Sequence, residues 1–303
     1  MRPNTPSILI KTLSVLFLFV LLGAVYFWEI RQAQLHWGAT PAESARSMPE
    51  DQSVVDPAFD ATRAITIRAT NQQIFPWLVQ MGFGRAGFYG YDLIENVGSG
   101  SGIRSAQTIL PALQNPRLGD LLPLSVAATL MYGPIEPNHF VVWRSTDVPC
   151  EGVFIWELVP VDAKHTRLIS RIRWNYVKSP GGLALGVFTE FTDHVAVRKI
   201  LEGVRDRAEG RPPEPLAAQA FEIASWCLAA LDLMIALFFV AFWKEWAWAW
   251  LIAFGAGLLL EFVLYSSVPL VIRATLPWIY LVGIVLVWAK FGRFQNVVAL
   301  IPR

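Results

Sequence analysis

The sequence predicts an α+β domain set between transmembrane helices, and three observations carry that expectation. Four long apolar runs bracket a polar middle. Within the middle, the periodicity runs strand, helices, several strands, long helix. The middle is also close to electroneutral: from position 29 to 215 it holds 18 Lys or Arg against 20 Asp or Glu, a net of −2. The whole chain of 303 residues is 54% hydrophobic and 16% charged, with a mean hydropathy of +0.42. An ordinary soluble domain is about 25% charged, so the apolar excess belongs to local segments.

The first apolar run, 8–28, carries one charge, Lys11. A bilayer core of about 30 Å takes about 20 residues of helix. A cleaved leader has an apolar stretch of only about 7–15 residues, and this run ends in Tyr26-Phe27-Trp28, an interfacial aromatic belt. It reads as an anchor. Runs 223–243 and 246–268 carry Asp232 and Glu261. The last run, 276–288, is short and extends back to Leu270 if Arg273 sits at the interface. The stretch from Trp243 to Trp250 (WKEWAWAW) marks a turn at a membrane face. The expected organisation is an anchor over 1–29, a soluble domain over 30–215 and a bundle of about three spans over 216–303. Four spans put both termini on one side. Lys and Arg near the span ends almost balance, and long domains translocate largely regardless of charge. The expectation is cytoplasmic termini and an extracytoplasmic domain on a bacterial inner membrane. Cys150 and Cys227 are ill placed to pair, the second being inside a span.

In the middle, 37–57 is polar and rich in Pro and Ser and reads as a linker. Residues 62–69 alternate, with Ile65 and Ile67 on one side, as a strand does. Thr70-Asn71 can cap a helix over 72–81, with Pro76 expected to kink it or delay its regular part. Glycines 82, 84, 87 and 90 break the chain into a loop, and 91–97 reads as a short helix. Strands are expected over 121–124, 127–132, 140–144, 153–159 and 166–174, divided by turn residues. Residues 183–209 read as a long helix whose buried side holds Phe188, Phe191, Val195, Ile200 and Val204.

Several motifs sharpen this. Thr62 to Ile67 opens the domain, Pro76-Trp77-Leu78-Val79-Gln80-Met81-Gly82 closes the first helix, and Arg85-Ala86-Gly87-Phe88-Tyr89-Gly90-Tyr91-Asp92 follows, with Glu95-Asn96 after it. Ser105-Ala106, Ile109-Leu110-Pro111, Gln114 and Gly119-Asp120 continue in order, and Arg198 to Glu209 ends the domain. In this order and wording the chain resembles uncharacterised bacterial members of the SRPBCC superfamily, the START-related, polyketide cyclase and lipid-transport-like proteins, over 37–210. The resemblance implies a helix-grip fold: a curved antiparallel sheet around a long C-terminal helix, enclosing an apolar cavity. Two positions depart from the pattern, Gly90 where Ser is expected and Val195 where Met is.

Candidate site residues follow. Gln80, Arg85, Tyr89, Asp92, Glu95 and Asn96 are the densest polar and aromatic group. They form either a cavity mouth that orients a ligand's polar head or a loop fixed by Arg85 pairing with Asp92 or Glu95. Trp77 is a candidate cavity wall, although Trp77, Trp143, Trp156 and Trp174 read first as core. Arg167, Arg171 and Arg173 make one strand face basic. That face is either solvated, or it turns Arg171 or Arg173 inward to hold a carboxylate or phosphate. Asp92, Glu95 and His194 are the candidate acids and bases. Asp232 and Glu261 are costly in a bilayer and are expected to pair, protonate or line a proton or ligand path, with Arg273 a possible partner. His36, His139, His165 and His194 are not spaced as a metal site, residues 98–102 lack the Lys-Ser/Thr of a phosphate loop, and no basic stripe suggests nucleic acid. No cofactor or metal is expected. The leading functional expectation is a membrane-tethered binding module for a hydrophobic ligand, a lipid or polyketide-like molecule. The alternatives are a cyclase or dehydratase on the same fold, or a non-catalytic domain that docks a partner.

Overall fold

The computed structural model describes residues 7–147, 151–176, 179–243 and 246–291. In chain order the helices are α1 (Ile8–Val25), α2 (Arg31–Leu35), α3 (Pro41–Ala45), α4 (Asn71–Gln80), α5 (Asp92–Glu95), α6 (Pro180–Ala208), α7 (Leu216–Phe242), α8 (Trp246–Tyr265) and α9 (Leu270–Phe291). The strands are β1 (Phe59–Ile67), β2 (Leu121–Pro123), β3 (Thr129–Glu136), β4 (Phe140–Ser145), β5 (Gly152–Pro160) and β6 (Thr166–Trp174). The chain divides into a membrane unit, 1–31 with 220–303, and a soluble unit, 32–219.

The soluble unit is one antiparallel sheet in the order β1-β6-β5-β4-β3-β2. Consecutive strands from β2 to β6 are neighbours, and β1 closes on β6, pairing Phe59 with Trp174 and Ile67 with Thr166. Side chains alternate across a sheet, and here both faces are covered. On the inner face Ile67, Tyr132, Trp143, Trp156, Leu158 and Leu168 pack against Trp77 and Leu78 of α4 and Leu201 and Val204 of α6. These are the α+β layers of a helix-grip domain.

Local chemistry explains the helices. Thr70 and Gln73 form a reciprocal capping box that starts α4 at Asn71. α4 runs through Pro76 without a break. Ser179 caps α6 through the Gly182 amide at 3.1 Å, with Pro180 in the first turn and Arg205 and Arg207 in the last. The buried stripe of α6 begins later than its spacing suggests. Phe188 is 63% exposed and Leu185 and Val187 are exposed with it, while Glu190, Asp193 and His194 are buried.

The segment expected as a linker is structured. Residues 37–57 contain α3 and a short 3-10 turn and lie on the sheet's outer face, where Met48 and Val54 pack on Ala64, Val142, Val153, Ile155 and Ile169. The basic stripe of β6 explains this. Arg167 donates to Glu43 at 2.7 Å and to the Gly38 carbonyl. Arg171 donates to Thr62 (2.8 Å), Asp51 (2.6 Å) and the carbonyls of Glu43, Ser44 and Arg46. Arg173 pairs with Asp60 at 3.2 Å and donates to the Asp51 carbonyl. That face is neither bare to solvent nor turned to a cavity. Its arginines clamp the preceding segment, mostly through carbonyls that leave no mark in the sequence.

In the membrane unit four helices are long and apolar enough to span a bilayer: Ile8–Leu35, Leu216–Phe242, Trp246–Tyr265 and Leu270–Lys290. The protein is an integral membrane protein. Small residues set the close packing, as is usual between membrane helices. Ala249, Ala253 and Ala256 of α8 are buried with Leu18 and Leu22 of α1 and Ala236 and Val240 of α7. A Cβ on Gly257 would stand 2.4 Å from Leu22. Lys11 donates to the Ala241 carbonyl at 2.7 Å, capping the end of α7.

Candidate functional site

The polar group between positions 80 and 96 separates into two hydrogen-bond networks. Gln80 is fully buried at the end of α4. Its Nδ side of the amide, Nε2, donates to the Tyr89 hydroxyl at 2.9 Å, and its Oε1 accepts from the Leu110 amide (2.9 Å) and from Gln114 (3.1 Å). Tyr89 donates in turn to the Trp77 carbonyl at 3.1 Å and meets the Trp77 ring edge-on at 5.9 Å. Trp77 is core. Tyr89 holds a positive φ of 68°, which a residue with a side chain rarely adopts, and Arg207 of α6 stacks 4.3 Å from its ring centroid. Burial pushes the Tyr89 hydroxyl well above its ordinary pKa, so it stays a neutral donor.

The second network centres on Asp92. Its Oδ1 accepts from the Ser105 hydroxyl (2.5 Å), the Ser105 amide (3.1 Å) and Asn96 (3.1 Å). Asn96 also donates to the Ile103 carbonyl at 2.9 Å. Glu95 folds back to accept from the Gly90 amide at 3.2 Å. A Cβ at Gly90 would stand 2.4 Å from Glu95 Oε1, which explains glycine where the resemblance implies serine. Burial, the leading cause, with Asp92 nearby, raises the Glu95 carboxyl to about 7.

Arg85 pairs with neither acid. It donates to the carbonyls of Met81 (3.2 Å) and Val79 (3.3 Å) and to the Tyr132 hydroxyl (3.1 Å), and its guanidinium lies 5.5 Å from the Tyr132 ring centroid. It fastens the loop to β3. The loop also sits under α6 at Gly203, where a Cβ would stand 2.0 Å from the Tyr89 carbonyl oxygen. We expect Gly203→Ala to push α6 off the loop and to cost about 1–3 kcal/mol, as overpacking does. Urea unfolding of the purified full chain checks this; an unchanged midpoint would mean that the loop yields freely.

His194 lies elsewhere, on the inner face beside β1. It is fully buried, and Arg63 is 1% exposed. Arg63 donates to the Gln34 carbonyl at 2.7 Å and to His194 Nδ1 at 2.8 Å, and pairs with Asp193 at 2.7 Å. Glu190 stands 3.6 Å from His194 Nε2. Since Arg63 can only donate, Nδ1 accepts and the proton rides on Nε2. Desolvation, the largest cause, lowers the His194 pKa below 6.5. Asp92 and Glu95 share one turn, and His194 belongs to this separate cluster. Arg63 was missed by motif reading, yet strand alternation puts it on the same face as Ile65 and Ile67.

At the other end of the same face the sheet is half open. Trp174, Phe154 and Tyr176 are half-buried and pack with Leu35, Phe59, Ala61 and Ile172. Two glycines seat the larger rings. A Cβ on Gly152 would stand 2.0 Å from the Trp174 ring, and one on Gly186 of α6 would stand 2.5 Å from the Tyr176 ring. The exposed Leu185, Val187 and Phe188 lie on this end of α6.

No family model matches the chain, and no curated protein matches it either. Among solved structures it is similar to a conserved protein of unknown function from Enterococcus faecalis, at 12% identity over 53% of this chain and 78% of that one, with a TM-score of 0.31. It is similar at the same identity and TM-score to a polyketide-cyclase-like protein from Corynebacterium glutamicum, over 48% of this chain and 88% of that one. A protein from Mesorhizobium loti is similar at 12% identity and TM-score 0.31, over 51% and 99%. Likeness this distant assigns no activity.

In the membrane unit Arg273 pairs with Glu222 at 2.7 Å and donates to the carbonyls of Val263 and Val268. Its partner is therefore Glu222, which the run-by-run reading left unremarked because it lies outside the most apolar stretch. Asp232 is fully buried, and among the described residues neither of its oxygens has a hydrogen-bond partner; the same holds for Glu261 Oε2.

Proposed function

We propose that the protein is a membrane-tethered binding module that takes a hydrophobic ligand, a lipid or polyketide-like molecule, at the half-open end of its helix-grip domain. One observation carries the reading: an apolar helix end, exposed at Leu185, Val187 and Phe188, adjoins a half-buried aromatic wall of Phe154, Trp174 and Tyr176. Exposed contiguous apolar surface of this kind marks interaction sites. Residues 179–189 carry no charge, so a ligand there desolvates no ion. Deeper in, the space between sheet and helix is filled by Trp77, Tyr132, Trp143 and Trp156, which restricts the ligand to the open end. We place the soluble unit on the extracytoplasmic side of a bacterial inner membrane.

Photocrosslinking tests this. The full chain in nanodiscs is incubated with a diazirine-bearing fatty acid, and adducts are mapped by peptide mass spectrometry. Adducts on peptides holding Phe154, Trp174 and 185–188, competed by unlabelled lipid and reduced about tenfold by Phe188→Glu, are the expected result; one such charge set against apolar contact is worth about 1.4 kcal/mol or more. Adducts confined to the membrane helices would refute the reading. The packed interior favours one second reading, a partner-docking surface at the same helix end, which predicts no adduct but loss of a protein crosslink in Phe188→Glu.

A further inference from the structure

At the opposite end of α6, a cleft of about 140 Å³ opens between the helix, the Tyr89–Asp92 loop and residues 213–219. Four acids line it, Asp92, Glu202, Asp206 and Glu214, against two bases, Lys199 and Arg207. The bases are engaged. Lys199 pairs with Glu214 at 2.9 Å, and Arg207 lies on the Tyr89 ring and donates to the carbonyls of Ala106 (2.9 Å) and Gly203 (3.1 Å). Asp206 pairs with Arg205 at 2.9 Å.

The remaining carboxyls have no cation in contact. Asp92 takes only neutral donors, from Asn96 and Ser105. Glu202 is half-buried on the cleft wall and forms no hydrogen bond or ion pair among the described residues. Glu95 stands behind Gly90, itself a lining residue, and its Oε1 is buried with no hydrogen-bond partner among the described residues. A buried polar atom without a partner is costly, and three such carboxyls around one cleft ask for a positive donor. Burial, the leading cause, raises the pKa of Glu202 as it does that of Glu95. The described carboxyls do not converge as a metal cage. The volume equals that of roughly five waters, which suits a group of a few heavy atoms.

We propose that this cleft binds a small ammonium group, carried by a free amine or by an amine-bearing lipid headgroup, with Glu202 as its main charge partner. The ammonium supplies three donors. They satisfy Glu202, the free oxygen of Asp92 and the Gly90 wall, while Lys199 and Arg207 exclude a second cation.

Two arms test it on the full chain. Ethanolamine is titrated calorimetrically into protein in phosphatidylcholine nanodiscs. Separately, retained lipids are identified by native mass spectrometry from nanodiscs that mix phosphatidylethanolamine with phosphatidylcholine. The expected result is saturable 1:1 binding in at least one arm, weakened at least about tenfold in Glu202→Gln and unchanged in Glu136→Gln, an exposed acid outside the cleft. Binding in the first arm alone identifies a free amine, and in the second alone a lipid headgroup. Thermal melting confirms that both variants fold; if Glu202→Gln does not, the milder Glu202→Asp takes its place. Absence of binding in both arms, equal binding by Glu202→Gln, or preference for acetate over ethanolamine overturns the proposal.

Discussion

Replacing Arg171 by alanine is expected to destabilise the soluble unit by about 3–5 kcal/mol, the cost of breaking a buried charge cluster from one side. Arg171 is 4% exposed and binds Thr62, Asp51 and three backbone carbonyls at once. Its loss leaves the Asp51 carboxylate and those carbonyls facing the outer side of the sheet with no donor, and each such group costs about 1–3 kcal/mol. The effect should be local first. Amide exchange over 41–54 is expected to rise before that of β4 to β6, because Met48 and Val54 cover Ile155 and Ile169 only while the segment is held down. Urea unfolding and hydrogen exchange of the full chain measure both. Exchange over 41–54 that stays as slow as in the unaltered protein would mean that apolar contact alone holds the segment.

Arg63→Met carries the second large effect, again about 3–5 kcal/mol, since Asp193 then stays buried without its cation. This variant also reports on pH. His194 in the fold has its pKa lowered, mainly by burial and partly by Arg63. In the unfolded chain it titrates at its ordinary value, 6.5. Above pH 6.5 both states are neutral and the contribution to stability is complete. As pH falls through 6.5 the unfolded chain takes up the proton first, so stability falls, and it levels off once the folded pKa is passed. Protonation of Nδ1 would also break the bond from Arg63 and set two cations together. Removing Arg63 takes away one lowering cause, so the slope below pH 6.5 should flatten in Arg63→Met, and His194→Gln should remove it. The other groups facing His194, namely Glu190 and Asp193, are unchanged in both variants. Urea midpoints measured between pH 5 and 7.5 give the slopes. Parallel curves for the unaltered protein and His194→Gln would exclude His194 as the titrating group.

How far the sequence reaches differs from element to element. Strand β6 falls on the expected residues, 166–174, because alternation on a sheet covered on both faces leaves few registers open. The first turn of α6 lies three residues before the expected start, where Ser179 and Pro180 supply the cap. Phe188 was expected on the buried stripe because helical spacing says which residues share a face, not whether another element reaches that turn. The site was less legible. Arg85, Asp92 and Arg171 stand out as charges, but their partners are mostly backbone carbonyls and amides. Every residue carries those groups, so no composition or spacing points to them.

The sequence by itself determined the membrane spans, the α+β order and the inward side of each strand, because hydropathy and periodicity are properties of neighbouring residues. Only the tertiary structure decided that 37–57 is part of the domain, that Arg63 and His194 share one buried cluster, that Glu222 is the partner of Arg273, and that Glu202 faces a cleft. Each of these rests on contact between residues far apart in the chain, and such contacts are set by how layers stack rather than by local pattern.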